Sequence, residues 1–177
     1  DGGSVRCIAS SENNIFAGTN GNGVFLSTNN GDNWEPVNSG LTISNILSLA
    51  TNGSILLAGT YNGVFISLDN GATWTPVNNG LQEFTQVNSI IINNNYIYIG
   101  TNVGIYLSTN NGAVWEAVNN GIPEFIAINS LGICGGNIIA GTSGSGLFIS
   151  SNNGSNWVSI NNSSTTNSYV QSIVVNG

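Results

Sequence analysis

The sequence of 177 residues contains no histidine and no methionine, a single basic residue, three prolines and two cysteines. Charged residues make up 5% of the chain, where an ordinary soluble domain carries about 25%. Arg6 is the sole cation and the formal net charge is −7, so the chain has no means to neutralise phosphates and nucleic acid is not an expected partner. Anionic membrane surfaces are disfavoured for the same reason. No apolar run reaches the roughly 18 residues that span a bilayer, so membrane insertion is not expected either. A metal centre lacks its usual donors, because there is no imidazole, Cys7 and Cys134 are far apart in sequence, and the carboxylates of Asp1, Glu12, Asp32, Glu35, Asp69, Glu83, Glu116 and Glu124 are scattered singly. No glycine-rich loop carries a lysine, which removes phosphate-cradling motifs. Neither metal nor cofactor is expected. The two cysteines suit one disulfide or two buried free thiols.

What is present is amide, glycine and apolar side chain: 32 Asn, 24 Gly and 40% hydrophobic residues. That is too apolar for a solvated, disordered chain. The apolar segments also recur. Ala17-Gly18-Thr19, Ala58-Gly59-Thr60, Ile99-Gly100-Thr101 and Ala140-Gly141-Thr142 stand 41 residues apart, each followed by a glycine and an apolar segment such as Val64-Phe65-Ile66-Ser67. A polar turn and a tryptophan come next, so Trp34, Trp74, Trp115 and Trp157 share one repeat position. A further apolar segment precedes each triplet, starting at Val5, Ile46, Val87 and Ile128, and it appears a fifth time at Val170 to Val175.

Each unit predicts four short antiparallel strands joined by Asn- and Gly-rich turns, residue types that accept the positive φ of tight hairpins. In the second repeat they fall at Ile46 to Thr51, Ser54 to Gly59, Gly63 to Ser67 and Trp74 to Asn78. The second and third are near-continuous apolar runs, which implies sheets buried on both faces and stacked radially as propeller blades. The expected fold is therefore an all-β propeller of four-stranded antiparallel blades in a single domain over residues 1–177. Its repeats run over about 4–41, 42–82, 83–123 and 124–166, with one extra strand at 168–177. Val5 and Val170 claim the same place in a blade. A closed four-bladed ring cannot seat both, so the ends are expected to find partners by self-association or by continuation in a longer chain.

Ser67-Leu68-Asp69-Asn70-Gly71-Ala72-Thr73-Trp74 resembles the Asp-box, Ser-x-Asp-x-Gly-x-x-Trp, of the bacterial neuraminidase repeat. Three further copies keep Ser27, Gly31 and Trp34, Ser108, Gly112 and Trp115, and Ser150, Gly154 and Trp157, while Asn29, Asn110 and Asn152 replace the aspartate. The exchange is chemically conservative, since either side-chain oxygen accepts backbone N–H bonds and closes an Asx-type turn. The four tryptophans are expected in like environments, covering the junction with the neighbouring blade. The same reading accounts for Asn29, Asn30 and Asp32 without a bound cation.

Families that share the box include sialidases, xyloglucanase-like glycoside hydrolases, sortilin-type receptors, photosystem assembly factors and many secreted repeat proteins. A sialidase-like site implies an arginine cluster, which one arginine cannot form, and a photosystem assembly factor implies a basic groove. No catalytic residue is assigned. The resemblance implies a non-enzymatic, secreted or cell-surface module for binding, adhesion or self-assembly. The alternative is a fragment of a larger Asp-box glycoside hydrolase, sialidase-like or xyloglucanase-like, for which Glu83 and Glu124 are the one carboxylate pair at matching loop positions.

In such a propeller the links from fourth to first strand and from second to third strand emerge on one face. Tyr61, Gln82, Glu83, Phe84, Gln86, Glu124 and Phe125 lie on those links and are the candidate binding residues for a glycan or protein ligand. The competing expectation is that Phe84 and Phe125 pack down between blades.

Overall fold

A computed structural model describes residues 3–175. The first sheet is β1 (Ser4–Ser11), β2 (Asn14–Asn20), β3 (Val24–Ser27) and β4 (Glu35–Pro36), and the second is β5 (Ile46–Thr51), β6 (Leu56–Thr60), β7 (Gly63–Ser67) and β8 (Thr75–Pro76). The third comprises β9 (Val87–Asn93), β10 (Tyr96–Thr101), β11 (Gly104–Ser108) and β12 (Glu116–Ala117). The fourth comprises β13 (Ile128–Cys134), β14 (Asn137–Thr142), β15 (Leu147–Ser150) and β16 (Val158–Ser159). Within each sheet the strands pair antiparallel in chain order. No helix occurs among the described residues. These are the four blades expected from the repeat.

The repeated triplet has a local cause. The threonine hydroxyl of Thr19, Thr60, Thr101 and Thr142 donates to the carbonyl of Gly23, Gly63, Gly104 and Gly146 at 2.8–2.9 Å, closing the link between second and third strands. The fourth strands are shorter than expected, with two residues in each ladder. Beyond them the N–H of Val37, Val77, Val118 and Ile160 donates to the carbonyl of Val24, Val64, Ile105 and Leu147, and an asparagine side chain supplies the other bond. Oδ1 of Asn38, Asn78, Asn119 and Asn161 accepts the N–H of Val24, Val64, Ile105 and Leu147 at 2.7–2.8 Å.

Three apolar cores fill the three junctions between blades. Phe16, Ile46, Ala58, Phe65 and Trp74 pack between the first and second blades, and Leu57, Val87, Ile99, Tyr106 and Trp115 between the second and third. Tyr98, Ile128, Ala140, Phe148 and Trp157 fill the third junction. The glycine of each triplet is a seat for the next blade: a Cβ on Gly18, Gly59 or Gly100 would collide with Ile46, Val87 or Ile128. First strands pack side by side, β1 on β5, β5 on β9 and β9 on β13, whereas β13 makes no such packing with β1. The blades form an arc that does not close.

Residues 169–175 occupy the seat beyond the fourth blade. Val170 sits on Gly141 as Ile128 sits on Gly100. Asn129 Nδ2 donates to the Val170 carbonyl as Asn88 Nδ2 donates to that of Ile128, and Ile173 N–H donates to Ser130 Oγ as Leu131 N–H donates to Ser89 Oγ. The segment takes the place of a further blade's first strand without forming one: Tyr169, bridged to Ser143, is its one ladder residue, so the extra strand expected at 168–177 is not seen among the described residues. Residues 176–177 of the expected strand lie outside the described residues.

Two expectations are corrected. Trp74, Trp115 and Trp157 are 2–4% exposed, but Trp34 is 39% exposed. The cause is the open arc: among the described residues no blade lies against this side of the first, so its indole N–H donates to Gly31 O in its own loop, whereas the others donate to Val37, Val77 and Val118 of the preceding blade at 2.8 Å. The cysteines form neither a disulfide nor a buried pair. Both are free, with Cys7 half-buried in the position that Ser48, Ser89 and Ser130 hold elsewhere, and Cys134 exposed. Burial pushes the Cys7 thiol up to about 11.

Candidate functional site

Two sets of loops leave the blades. The loops between third and fourth strands carry the Ser, Asx, Gly and Trp residues, and all four have one geometry. The hydroxyl of Ser27, Ser67, Ser108 and Ser150 donates to Oδ1 of Asn29, Asp69, Asn110 and Asn152 at 2.8–3.0 Å. It accepts the N–H of Gly31, Gly71, Gly112 and Gly154 at 2.8–2.9 Å. The same Oδ1 accepts the N–H of the residue before each tryptophan, Asn33, Thr73, Val114 and Asn156, at 2.8–3.0 Å. These oxygens are committed to the fold. Around Asp69, the Thr73 hydroxyl at 2.6 Å, the Thr73 amide and the Ser67 hydroxyl hold the carboxyl below its ordinary range.

The links from second to third strand and from fourth to first strand meet one another. Gly63 N–H donates to Thr85 O, Asn102 N–H to Gln86 O, and Ser143 N–H to Ala127 O, so each link between second and third strands is tied to the link entering the next blade. Asn62 Oδ1 accepts Phe84 N–H at 3.1 Å, and Asn102 Oδ1 accepts Gln86 N–H at 3.0 Å.

The phenylalanines do not pack between blades. Phe84 is 73% exposed and Phe125 is 88% exposed, and each stands in the left-handed region, at φ of +59° and +57°. The equivalent position ahead of Val170 is Asn167, at +61°. A short amide residue tolerates that conformation, whereas an aromatic residue there is strained by about 1–2 kcal/mol. This loop position is therefore filled twice with a residue that neither favours the backbone nor buries its ring.

Gln82, Glu124 and Phe125 line one cleft of about 440 Å³ together with Val103, Asn119, Asn120, Ile122 and Pro123. Tyr61, Glu83 and Phe84 are exposed outside that cleft, with Tyr61 beside Asn62. Gln86 is the exception among the candidates, because its Nε2 is spent on Asn88 Oδ1 at 2.7 Å. The two candidate carboxylates, Glu83 and Glu124, both stand in solvent on separate links. The amides of Asn119 and Asn120 were not anticipated as cleft residues. Their signal in the sequence is the asparagine that recurs after Val37, Val77, Val118 and Ile160, which reads as fold rather than site.

A radial array of four-stranded antiparallel blades defines this chain as a β-propeller protein. It belongs to the DUF6242 beta propeller domain family, whose pattern it matches over residues 58–171. No curated protein matches the chain. Among solved structures, it superposes on the extracellular domain of BT4673 from B. thetaiotaomicron with a TM-score of 0.80 at 20% identity, covering 98% of this chain and 25% of that one. An ancestral GH74 enzyme gives a TM-score of 0.76 at 22% identity over 88% of this chain and 24% of that one. YCF48 bound to D1 peptide gives 0.71 at 18% identity, over 89% and 55%. The chain thus spans about a quarter of the length of the first two. At these identities the likeness establishes the fold.

Proposed function

We propose that this chain is a non-enzymatic, extracellular β-propeller module of the Asp-box type, and that it binds a neutral glycan across the links bearing Phe84 and Phe125. The observation that carries the reading is the pair of exposed phenylalanines in a strained backbone state, at a position that asparagine serves without strain. An exposed ring supplies a flat apolar face for a sugar, and the surrounding Gln82 and Glu124 supply donors and acceptors for hydroxyls. With one cation in the whole sequence, the face offers little to an anionic ligand. Glu83 and Glu124 are both exposed and stand on separate links, an arrangement that favours surface carboxylates over a catalytic pair. The Asp-box assignment rests on the shared loop geometry, and extracellular placement on the resemblance to secreted repeat proteins and on the neighbour described as an extracellular domain.

The alternative of a glycoside hydrolase fragment draws on the GH74 likeness and on the quarter of that enzyme's length the chain covers. Titration with a panel of neutral oligosaccharides separates the readings when combined with Phe84→Asn and Phe125→Asn. Each substitution is expected to leave thermal stability unchanged or raise it by about 1 kcal/mol through relief of the left-handed strain, while weakening glycan binding at least about tenfold. Loss of stability with binding intact would refute the role of the rings. Hydrolysis that disappears in Glu83→Gln or Glu124→Gln would establish the enzymatic alternative.

A further inference from the structure

We propose that the face of the first blade formed by Val5, Ile8, Phe25 and Trp34 is a docking surface for one further blade of this same repeat, joined ahead of Val5 as the second blade is joined ahead of Val87. The proposal is independent of the glycan reading, since it concerns the opposite use of the molecule, its side rather than its rim.

The face is apolar and bare. Val5 is 56% exposed and Ile8 65%, whereas their counterparts Ile46, Val87 and Ile128, and Leu49, Ile90 and Leu131, are all buried. Phe25 stands where Phe65, Tyr106 and Phe148 are buried, and with Val5, Ile8, Ala17, Thr19 and Trp34 it lines a cleft of about 460 Å³. In the three junctions within the chain this face is covered in one way. The preceding blade offers a glycine seat, a carbonyl of Val37, Val77 or Val118 to the indole N–H, and a carbonyl of Ser39, Asn79 or Asn120 to the tryptophan backbone N–H at 2.8–2.9 Å. It also places Gly40, Gly80 or Gly121, each at positive φ, against the tryptophan carbonyl, where any Cβ would collide. The complement of the bare face is therefore written in the chain three times: a second-strand Gly-Thr and an apolar-Asn-x-Gly-apolar run after the fourth strand.

The fourth blade does not present that complement, which argues against a second copy docking head to tail. Its glycine seat holds Val170. The residue matching Gly40, Gly80 and Gly121 is Ser163, which is not among the residues with positive φ, and the Asn162 carbonyl already accepts the N–H groups of Thr165 and Thr166 at 3.1 and 3.0 Å. One end of the arc is covered and the other is not.

The test is an extended chain in which residues 46–86 are repeated directly ahead of Val5 in place of residues 1–4. Trp34 is followed through its indole N–H resonance, identified by its loss in Trp34→Phe. In the chain of 177 residues that proton is expected to exchange quickly with solvent, and in the extended chain at least about tenfold more slowly. The same extension carrying Gly80→Ser in the added blade is expected to give no protection. Absence of protection in both extensions overturns the proposal. So does a chain of 177 residues that sediments as a dimer with Trp34 already protected, which would make a second copy the occupant.

Discussion

Tyr98 is the one buried side chain among the described residues whose polar atom finds no partner. Its ring fills the junction between the third and fourth blades beside Trp157, and burial, with Tyr96 nearby, pushes its phenol up to about 12. A buried phenol without a protein partner contributes area and costs desolvation. Tyr98→Phe keeps the area, so it is expected to raise stability by about 1 kcal/mol, read as a higher urea midpoint at unchanged slope. A midpoint lowered by the same amount would show that the hydroxyl has a partner in solution. Residues of this kind were only partly legible in the sequence. The serine, Asx, glycine and tryptophan of the loops declared themselves because four copies recur in the same order, and the structure gives the serine, Asx and glycine of all four the same hydrogen bonds. Phe84 and Phe125 did not, because a phenylalanine on a polar link reads equally as a plug between blades, and only the backbone dihedral and the exposed ring separate the two. Trp34 was misread because its sequence context equals that of its three counterparts, while its environment depends on a neighbour that its own repeat does not encode.

Among the strands, the fourth of each blade departs most from expectation. The sequence predicted Trp74 to Asn78 as a strand, and the ladder holds only Thr75 and Pro76. The shortness does not come from Pro76, since β12 and β16 are as short without a proline; Val77 N–H still donates to Val64 O at 2.9 Å, and the N–H of Val64 is then taken by the side chain of Asn78 rather than a backbone carbonyl. The asparagine count hid this role, since 32 copies of one residue make any single recurrence look like surface. Asn78→Ala leaves the Val64 N–H without its acceptor in a buried strand and is expected to cost about 1–3 kcal/mol. Asn78→Asp keeps an acceptor oxygen and should cost less. Equilibrium unfolding of the two variants side by side provides the check, and equal losses would show that the amide N–H of Asn78, not its oxygen, carries the effect.

At the scale of the molecule the repeat period and the blade composition were legible, because they rest on spacing and on apolar runs rather than on the neighbours of any one residue, whereas the expected surplus strand is an extended segment with one bridge. The covered end depends on residues 169–175. Val170, Ile173 and Val175 are each partly buried against the fourth blade, and full burial of such side chains is worth about 1.5–3 kcal/mol apiece. Ending the chain at Ser168 is expected to lower stability by about 2–4 kcal/mol, since roughly half of that burial is lost. Unfolding in urea measures the change, and a truncated chain as stable as the full one would mean that the segment does not hold its seat in solution.

The glycine seats also bear on how such a chain lengthens through replication. Gly18, Gly59, Gly100 and Gly141 stand 41 residues apart, and each receives a β-branched residue of the next unit. A recombination event that duplicates one such period in frame inserts a blade whose two faces already match what lies on either side, because the seat and its occupant travel in the same stretch of coding sequence. Gain or loss of a whole period leaves every junction intact, and a one-residue difference in a loop is absorbed as well, since Gly100 and Ile128 lie 28 positions apart and Gly141 and Val170 lie 29.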